Sequence, residues 1–375
     1  MNKSILIVAG EVSGDLHAAK VVRAVNDRSP DTVFWGIGGD ELRAEGVELL
    51  EHTDQMSVMG IAEVLKHYRF LKSVFDKILD EVDCRKPDAA LLVDYPGFNL
   101  RLAAELKKRG VEVDYYICPK VWAWNKKRIP KMAKIIDRLM VVFPFEVEVF
   151  QETDLQVDFV GNPLVAQIDA FLATEPQPLP WGTEKRVALL PGSRRQEILR
   201  ILPAILSAAK RLETQFPDLS FMIASPNERI EKMVREQIAQ SADTPARLSV
   251  VRGQARELMR QADAAIVTSG TATLETALIG TPQIIVYKTS PATYWFARSV
   301  LTIRHIGLVN IVAKRTVCPE LIQQAATPQA MADAVANLLT DTPGRRDMLA
   351  GYDEVRALLG SEDAAVNAAE LVLGR

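Results

Sequence analysis

The sequence predicts an α/β fold of two doubly wound parallel-sheet domains, because short apolar runs alternate with helical patterns along almost the whole chain. A proline-rich break near the middle divides this alternation, and 375 residues suffice for two domains with their own cores. Two Rossmann-like domains joined in this way face a cleft, and the carboxyl ends of their strands point toward it. We therefore expect functional residues directly after strands.

The first half contains six predicted strands, which are short apolar runs bounded by turn residues. They cover residues 5–9, 33–36, 89–93, 113–117, 139–142 and 157–160. Helical spacing of apolar residues predicts helices over residues 16–26, 61–79 and 100–108. We assign these elements to an N-terminal domain, residues 1–172.

Residues 173–184 form a predicted linker, because Pro176, Pro178, Pro180 and Gly182 exclude a helix or a central strand. The alternation then resumes in a second domain, residues 185–340. Its strands cover residues 187–190, 220–224, 248–251, 264–268 and 283–286, and its helices include residues 196–216 and 271–279. The helices of residues 341–375 are expected to pack back on the N-terminal domain or on a partner chain.

Composition narrows the class of protein. The 45 basic and 48 acidic side chains leave a formal charge of −3, which disfavours a dedicated nucleic-acid binder. The three cysteines lie far apart, the four histidines form no metal-binding pair, and no Asp-x-Asp cluster occurs, so we expect no metal. The same residue usage fits cytoplasmic conditions, and we expect no cofactor. No run of about 18 apolar residues could span a bilayer.

Two loops of the N-terminal domain carry the first candidate residues. Gly-Glu-Val-Ser-Gly-Asp at 10–15 follows the first strand but lacks the dinucleotide fingerprint. Glu11 and Ser13 either face the cleft or belong to an ordinary capped turn. Asp94 follows the strand at 89–93, where partial burial would raise its pKa toward that of a useful base. Asn99 orients a hydroxyl or caps a helix, and Asp94 alternatively caps its own turn.

An aromatic and basic segment follows the strand at 113–117. Trp122 and Trp124 lie beside Lys120, Lys126 and Lys127, and this combination suits a ligand with apolar and anionic parts. Core packing is the alternative for either tryptophan, and it is the favoured one for Trp124.

In the second half, two strands end in helix starts that suit phosphate. Gly192, Ser193 and Arg194 combine backbone N–H groups with a guanidinium fork. Ser269, Gly270 and Thr271 form a similar start, and Glu275 lies one turn later, where it could accept hydrogen bonds from ribose. Simple capping is the alternative for the second segment.

The segment from Met56 to Leu79 has one apolar face, which includes Ile61 and Leu65, and one basic face. An ordinary core helix explains the first, whereas the second suits anionic lipid. The candidate membrane or acyl contacts are Val58, Met59, Ile61, Leu65, Lys66, Arg69 and Lys72.

Six motifs, in this order, resemble the lipid-A-disaccharide synthase family over essentially the whole chain. They are Ala-Gly-Glu-Val-Ser-Gly-Asp at 9–15, Val-Met-Gly-Ile-Ala-Glu-Val-Leu at 58–65, Asp-Tyr-Pro-Gly-Phe-Asn at 94–99, Val-Trp-Ala-Trp at 121–124, Leu-Leu-Pro-Gly-Ser-Arg at 189–194 and Ser-Gly-Thr-Ala-Thr-Leu-Glu at 269–275. By motif, the resemblance implies that Asp94 is the general base for the acceptor's 6-hydroxyl, that Arg194 binds UDP phosphate and that Glu275 binds ribose. Asn310 falls where the family places a UDP-contacting asparagine, and Val309 precedes it in place of the usual proline.

The same resemblance implies an inverting, metal-independent glycosyltransferase of the GT-B type, in which residues 1–172 bind the acceptor and contact the membrane and residues 185–340 bind the UDP-sugar. Such an enzyme joins UDP-2,3-diacylglucosamine to 2,3-diacylglucosamine 1-phosphate (lipid X), forming a β-1,6 disaccharide 1-phosphate and UDP in lipid A biosynthesis. It implies a Gram-negative source, a peripheral location on the cytoplasmic face of the inner membrane with its anionic surface as a partner, and a homodimer through the C-terminal helices. From the residues alone, a UDP-sugar epimerase and a non-enzymatic two-domain binding protein stay open.

Overall fold

The computed structural model describes residues 3–56, 64–301 and 303–374, and over residues 64–68 it describes the backbone only. The chain divides into two compact units. Unit 1 comprises Met1–Ala166 and Leu359–Arg375, and unit 2 comprises Gln167–Leu358.

The described part of unit 1 contains a seven-stranded parallel sheet. Its strands are β1 (Ser4–Ala9), β2 (Val33–Gly38), β3 (Glu48–His52), β4 (Ala89–Val93), β5 (Glu112–Tyr116), β6 (Arg138–Val141) and β7 (Gln156–Phe159). The helices are α1 (Val12–Asn26), α2 (Asp40–Ala44), α3 (Thr53–Met56), α4 (Val64–Arg85), α5 (Pro96–Lys108), α6 (Val121–Trp124), α7 (Ile129–Ile135), α8 (Phe145–Val149) and α9 (Pro163–Leu172), the last of which runs into unit 2, with a 3₁₀ turn at Lys126–Arg128.

The order of strands in this sheet is β3-β2-β1-β4-β5-β6-β7. The chain therefore reverses its direction of winding between β1 and β4, which lie side by side with Ala9 opposite Val93. In open parallel sheets a ligand binds outside the carboxyl ends of the strands at such a switch point. The loops after β1 and β4 are consequently adjacent.

Unit 2 repeats the plan with a six-stranded parallel sheet over its described residues. Its strands are β8 (Lys185–Leu190), β9 (Leu219–Ser225), β10 (Leu248–Arg252), β11 (Ala264–Thr268), β12 (Gln283–Tyr287) and β13 (Glu320–Ile322), in the order β10-β9-β8-β11-β12-β13. The helices are α10 (Arg195–Gln215), α11 (Glu228–Gln240), α12 (Ala255–Gln261), α13 (Thr271–Ile279), α14 (Pro291–Val300), α15 (Leu308–Ala313), α16 (Pro328–Leu338) and α17 (Pro343–Leu359), with a 3₁₀ turn at Gln323–Ala325. The switch point lies between β8 and β11, where Leu190 is next to Val267.

Side chains that alternate along each buried strand give unit 1 a core on both faces of its sheet. Leu6 and Val8 pack on one side, against α4 and α5 residues, while Ile5 and Ile7 pack on the other. The second core includes α18 (Ala364–Leu373), which packs against α1. The C-terminal end of the chain therefore completes the core of the first unit.

The predicted fold class is confirmed, and each predicted strand has a counterpart within a few residues. The short strands β3 and β13 were not predicted, because Glu48, Glu51 and Glu320 interrupt their apolar pattern. Unit boundaries also differ from the predicted domains, since residues 341–358 lie in unit 2 rather than in the tail. There the buried Tyr352 hydroxyl donates to the Thr281 carbonyl, and Arg356 pairs with Asp169.

In the described ranges, no helix combines the length and apolar content needed to span a bilayer.

Candidate active site

The switch point of unit 1 brings the first two candidate loops into contact. A Cβ atom on Gly10 would lie 2.3 Å from Cδ1 of Tyr95, so the close approach of these loops requires glycine at position 10. Glu11 and Ser13 follow Gly10 and are exposed, as a role toward substrate requires.

The backbone at Asp94 is unusual. Asp94 and Tyr95 both have left-handed conformations, with φ of 47° and 46°, between β4 and α5. Asn99 stabilises this turn, because its Nδ2 atom donates to the carbonyls of Val8 (3.2 Å), Val93 (3.2 Å) and Asp94 (2.9 Å). The Tyr115 hydroxyl donates to the same Asp94 carbonyl. Two consecutive residues in a rarely populated conformation are typical of a functional site.

Asn99 therefore differs from its predicted role. Its side chain is fully buried, so it does not reach an acceptor hydroxyl. It supports the turn that presents Asp94 and joins the ends of β1 and β4. We correct its assignment from a cleft residue to a residue that supports the Asp94 turn.

The Asp94 carboxylate is half-buried at the end of β4. Burial raises its pKa, and the nearby charge of Glu11 raises it further, while the Tyr95 N–H and Lys120 act in the opposite direction. A carboxylate with a raised pKa is a better proton acceptor once it is ionised. The environment of Asp94 thus suits a general base.

Asp15 has a structural role in the 10–15 segment. It is buried, and its carboxylate accepts hydrogen bonds from the N–H groups of Gly39 (2.6 Å), Glu41 (3.1 Å) and Leu42 (3.3 Å). It therefore caps the start of α2 rather than its own helix. The N-terminal cap of α1 is Glu11, whose side chain makes no capping hydrogen bond.

The burial of the two tryptophans is the reverse of that predicted. Trp122 is buried, and its Nε1 donates to Oε1 of Glu146 at 2.9 Å, so it does not line an open cleft. Trp124, for which core packing was favoured, is 49% exposed and lies 5.5 Å from the Arg128 guanidinium. The indole of Trp122 fits the core because Glu146 satisfies its N–H group.

Glu146 was missed from the sequence, because it lies inside α8, five residues after the end of β6, whereas Asp94 follows β4 directly. Its carboxylate is buried and accepts the Trp122 indole and the Phe143 N–H (3.2 Å). Burial raises its pKa to about 7, and the charge of Lys120 opposes this shift. Lys120 thus acts on the pKa of both Asp94 and Glu146. A search for polar residues directly after strands does not reach it.

In unit 2 the start of α10 is already capped. Glu197 accepts the N–H groups of Ser193 (3.1 Å) and Arg194 (3.2 Å), and its other oxygen accepts Arg194 Nη1 at 3.0 Å. Gly192 has a φ of 108°, and a Cβ there would meet the Glu197 carboxylate. Phosphate would therefore compete with Glu197 for these N–H groups, while the Arg194 side chain remains 82% exposed.

The start of α13 differs, because no side chain in the described part of the chain caps it. Gly270 and Thr271 are exposed there, and the Ser269 hydroxyl donates to the Ile306 carbonyl at 2.8 Å. Since β8 and β11 are neighbours, this helix start lies beside the 192–194 loop at the switch point of unit 2. Because α13 is nine residues long and its N-terminus is uncapped, this helix start favours the binding of an anion.

Glu275 lies one turn into α13 and is oriented by Arg256. Its Oε1 accepts Nε (2.9 Å) and Nη2 (2.7 Å) of that arginine. Nη2 also donates to Gln167 at 3.2 Å. The carboxylate is thus fixed in place, which suits recognition of a diol such as ribose.

The Asn310 side chain has its hydrogen-bond partners within unit 2. The side chain is fully buried; Nδ2 donates to the Cys318 carbonyl and to Glu320, and Oδ1 accepts the N–H groups of Val317 and Cys318. Each polar atom of the amide is thereby satisfied. Asn310 supports the loop before β13, and its contact with UDP stays a prediction.

Of the predicted membrane contacts, Val58, Met59 and Ile61 lie outside the described residues. Leu65 and Lys66 lie in the first turn of α4, where only the backbone is described. Arg69 and Lys72 are exposed on the same helix. Over the described ranges, no three His, Cys, Asp or Glu side chains come together as a metal site.

Comparisons with known proteins agree with this architecture. A family model described as lipid-A-disaccharide synthetase matches residues 5–370. The chain is 41% identical over 375 residues to lipid-A-disaccharide synthase of Syntrophus aciditrophicus (strain SB), covering 99% of this chain and 97% of that protein. It also resembles the solved structures of Acinetobacter baumannii MurG (14% identity, TM-score 0.57, 100% of both chains) and of UDP-GlcNAc 2-epimerase from Neisseria meningitidis (11% identity, TM-score 0.59, 99% of this chain and 98% of that one). At such identities the structural likenesses show the fold alone.

The buried carboxyl of Glu146 predicts a distinct pH dependence of stability. Because its pKa is raised from 4.5 to about 7 in the folded protein, the folded state retains a proton that the unfolded state loses. The free energy of unfolding should therefore fall by about 3 kcal/mol as pH rises through this window, and Glu146→Gln should abolish that contribution. Urea unfolding at about pH 5 and about pH 8 measures it.

The matched control is Glu148→Gln, since Glu148 is exposed on the same helix. That variant should retain the full pH dependence of the parent protein. An unchanged pH dependence in Glu146→Gln would contradict the assignment.

Proposed function

The chain belongs to the lipid-A-disaccharide synthetase family, and from this membership we propose how its residues carry out the reaction. It is a hexosyltransferase of lipid A biosynthesis that condenses UDP-2,3-diacylglucosamine with 2,3-diacylglucosamine 1-phosphate. The observation that supports our residue assignments most strongly is the left-handed turn at Asp94, which presents a carboxylate at the switch point of unit 1.

Asp94 acts as the general base. It accepts the proton of the acceptor's 6-hydroxyl while that oxygen bonds to the anomeric carbon of the donor. The bond from this carbon to the diphosphate breaks, and UDP leaves with the electron pair. Attack from the face opposite UDP inverts the anomeric centre and gives the β-linked disaccharide. Glu11 and Ser13, exposed on the adjacent loop, contact the acceptor beside this base.

UDP binds to unit 2. The uncapped start of α13, at Ser269, Gly270 and Thr271, receives the diphosphate, and the exposed Arg194 side chain neutralises its charge. Ser193 and Gly192 shape the neighbouring loop. Glu275, oriented by Arg256, accepts hydrogen bonds from the ribose hydroxyls. Negative charge that develops on the departing UDP is stabilised by these same groups.

The carboxylate of Glu197 balances the positive charge of Arg194 in this site. In the described structure it neutralises Arg194 and caps α10. When a diphosphate approaches, Arg194 exchanges its carboxylate partner for phosphate, and the 82% exposure of its side chain allows that movement. The contact between Arg194 and phosphate therefore replaces the ion pair between Arg194 and Glu197.

A single-sugar epimerase shares the fold but not the family. The similarity to the Neisseria meningitidis epimerase rests on 11% identity, whereas the match to the synthase family covers nearly the whole chain. Epimerisation would also need no acceptor and no lipid surface.

We propose a peripheral location on the cytoplasmic face of the inner membrane, through the 58–72 segment and helix α14. All ten residues of α14 are at least partly exposed; Trp295 is 63% and Phe296 71% exposed. From Lys288 to His305 the chain has three basic residues, Lys288, Arg298 and Arg304, and no acidic one. Exposed aromatic residues flanked by cations suit the interface of an anionic bilayer, where the acylated substrates also reside.

Dimer formation through the C-terminal helices is also a proposal. In the single chain, α18 covers α1 with its apolar face and Asn367 donates to the Val160 carbonyl at 3.0 Å. An exchanged copy could make the same contacts, because domain swapping reuses intramolecular contacts between identical chains.

Asp94→Asn should lower turnover by about 10²- to 10⁴-fold and leave the affinity for UDP unchanged. Asparagine tolerates the left-handed backbone and removes only the proton-accepting charge. Disaccharide formation and calorimetric UDP titration measure the two effects. Asp88→Asn, at the opposite end of β4, is the control and should retain activity. Near-normal turnover in Asp94→Asn would mean that another group is the base.

Arg194→Ala should weaken UDP binding by about 1.5–3 kcal/mol, the usual contribution of a charge-assisted hydrogen bond. Arg200→Ala removes an exposed arginine from the same helix and should leave the affinity intact. Titration calorimetry with UDP measures both. Equal affinities for UDP in the parent protein and both variants would show that Arg194 does not bind the phosphate.

The double variant Trp295→Ser, Phe296→Ser should reduce binding to phosphatidylglycerol vesicles by at least about tenfold, because two exposed aromatic residues no longer enter the interface. Leu358→Ser, at a 44% exposed site of unit 2, is the control. Vesicle flotation measures binding, and circular dichroism verifies folding. Unchanged vesicle binding would exclude α14 as a lipid contact.

A further inference from the structure

Unit 1 contains a pocket of about 280 Å³ between the first turns of α5 and the helix α7. Pro96, Gly97, Leu100 and Arg101 line it from α5; Arg128, Lys131, Met132 and Ile135 line it from the opposite side. The first lining residue is only two positions after Asp94. The pocket thus adjoins the proposed base without including it.

The floor of this pocket is apolar and its rim is cationic. Met132 is buried, and Leu100 and Ile135 are half-buried, whereas Arg101, Arg128 and Lys131 are exposed. No acidic residue lines the pocket. In the described part of the chain, none of these three cations forms an ion pair with a carboxylate within 4.0 Å.

Local sequence increases this positive charge. Between Asp114 and Asp137 the chain carries six basic residues, at 120, 126, 127, 128, 131 and 134, and no acidic one. The start of α5, a 13-residue helix, has no side-chain cap and also points its positive end toward this region. Uncompensated cations over an apolar floor favour a ligand that joins an anion to hydrocarbon.

We propose that this pocket binds the phosphate monoester of the acceptor and the adjoining part of one acyl chain. The inference rests on the proposed function, which supplies an acylated sugar phosphate as the acceptor. The phosphate is on C1 and the reacting hydroxyl is on C6, and the ring carbons that carry them, C1 and C5, flank the ring oxygen. A phosphate site should therefore adjoin the base and not coincide with it. Its volume is near the lower end for ligand pockets, about 300–1,000 Å³, and therefore suits only this part of the molecule.

The test compares 2,3-diacylglucosamine 1-phosphate with its dephosphorylated counterpart, both in neutral detergent micelles. Lys131→Met and Arg128→Met should each weaken binding of the phosphorylated acceptor by about 10- to 100-fold, with a matching rise in KM and little change in kcat. Binding of the dephosphorylated acceptor, weaker in the parent protein, should not fall further. Lys134→Met removes an exposed cation from the same helix outside the pocket and should change neither.

Equal loss with both acceptors, or no loss with the phosphorylated one, would overturn the proposal. Phosphatidylglycerol vesicles without acceptor test whether the pocket binds a lipid headgroup instead of the substrate. Lys131→Met should bind these vesicles as well as the parent protein does. A decrease in vesicle binding that parallels the loss of acceptor binding would assign the pocket to the bilayer and overturn the proposal. Acceptor binding is measured at equilibrium and needs no turnover, so the two proposals can fail separately. If the protein formed no disaccharide but bound the phosphorylated acceptor through Lys131, the proposed reaction would be contradicted and the proposed phosphate pocket would stand.

Discussion

The turn that ends β4 is the constraint on which the proposed chemistry depends. Two consecutive residues, Asp94 and Tyr95, adopt a left-handed backbone that costs about 1–2 kcal/mol each, and the buried amide of Asn99 and the Tyr115 hydroxyl stabilise it. Gly10 is required because Tyr95 occupies the space of its side chain. Together they direct one carboxylate out of the sheet, half-buried, with a raised pKa.

A second theme is the use of acidic side chains to satisfy helix starts near the strand ends. Asp15 caps α2, Glu197 caps α10, and Glu320 accepts the N–H groups of Ile306 and Gly307 before α15. Each interaction fills a position that would otherwise attract an anion. In contrast to α10, the start of α13 lacks such a cap over the described residues, and this difference favours α13 over α10 as the diphosphate site in unit 2.

Local patterns were sufficient to predict the two sheets, since buried parallel strands are short apolar runs that are easily recognised. They were also sufficient to locate Asp94, because a polar residue directly after a central strand has few other positions to occupy. The burial and the hydrogen-bond partners of four side chains could not be predicted from the sequence: Asn99, Asn310, Trp122 and Trp124. Whether such a side chain faces solvent or satisfies buried backbone groups depends on neighbours distant in sequence, such as Glu146 for Trp122 and Glu320 for Asn310.

The stereochemistry of the product tests the account most directly. The purified protein would be incubated with UDP-2,3-diacylglucosamine and 2,3-diacylglucosamine 1-phosphate, and the new linkage would be assigned by NMR. Deprotonation of the 6-hydroxyl by Asp94 and attack opposite UDP predict a β linkage from the anomeric carbon of the donor to O6 of the acceptor. An α linkage, a bond to a different hydroxyl, or an isomerised single sugar would contradict it.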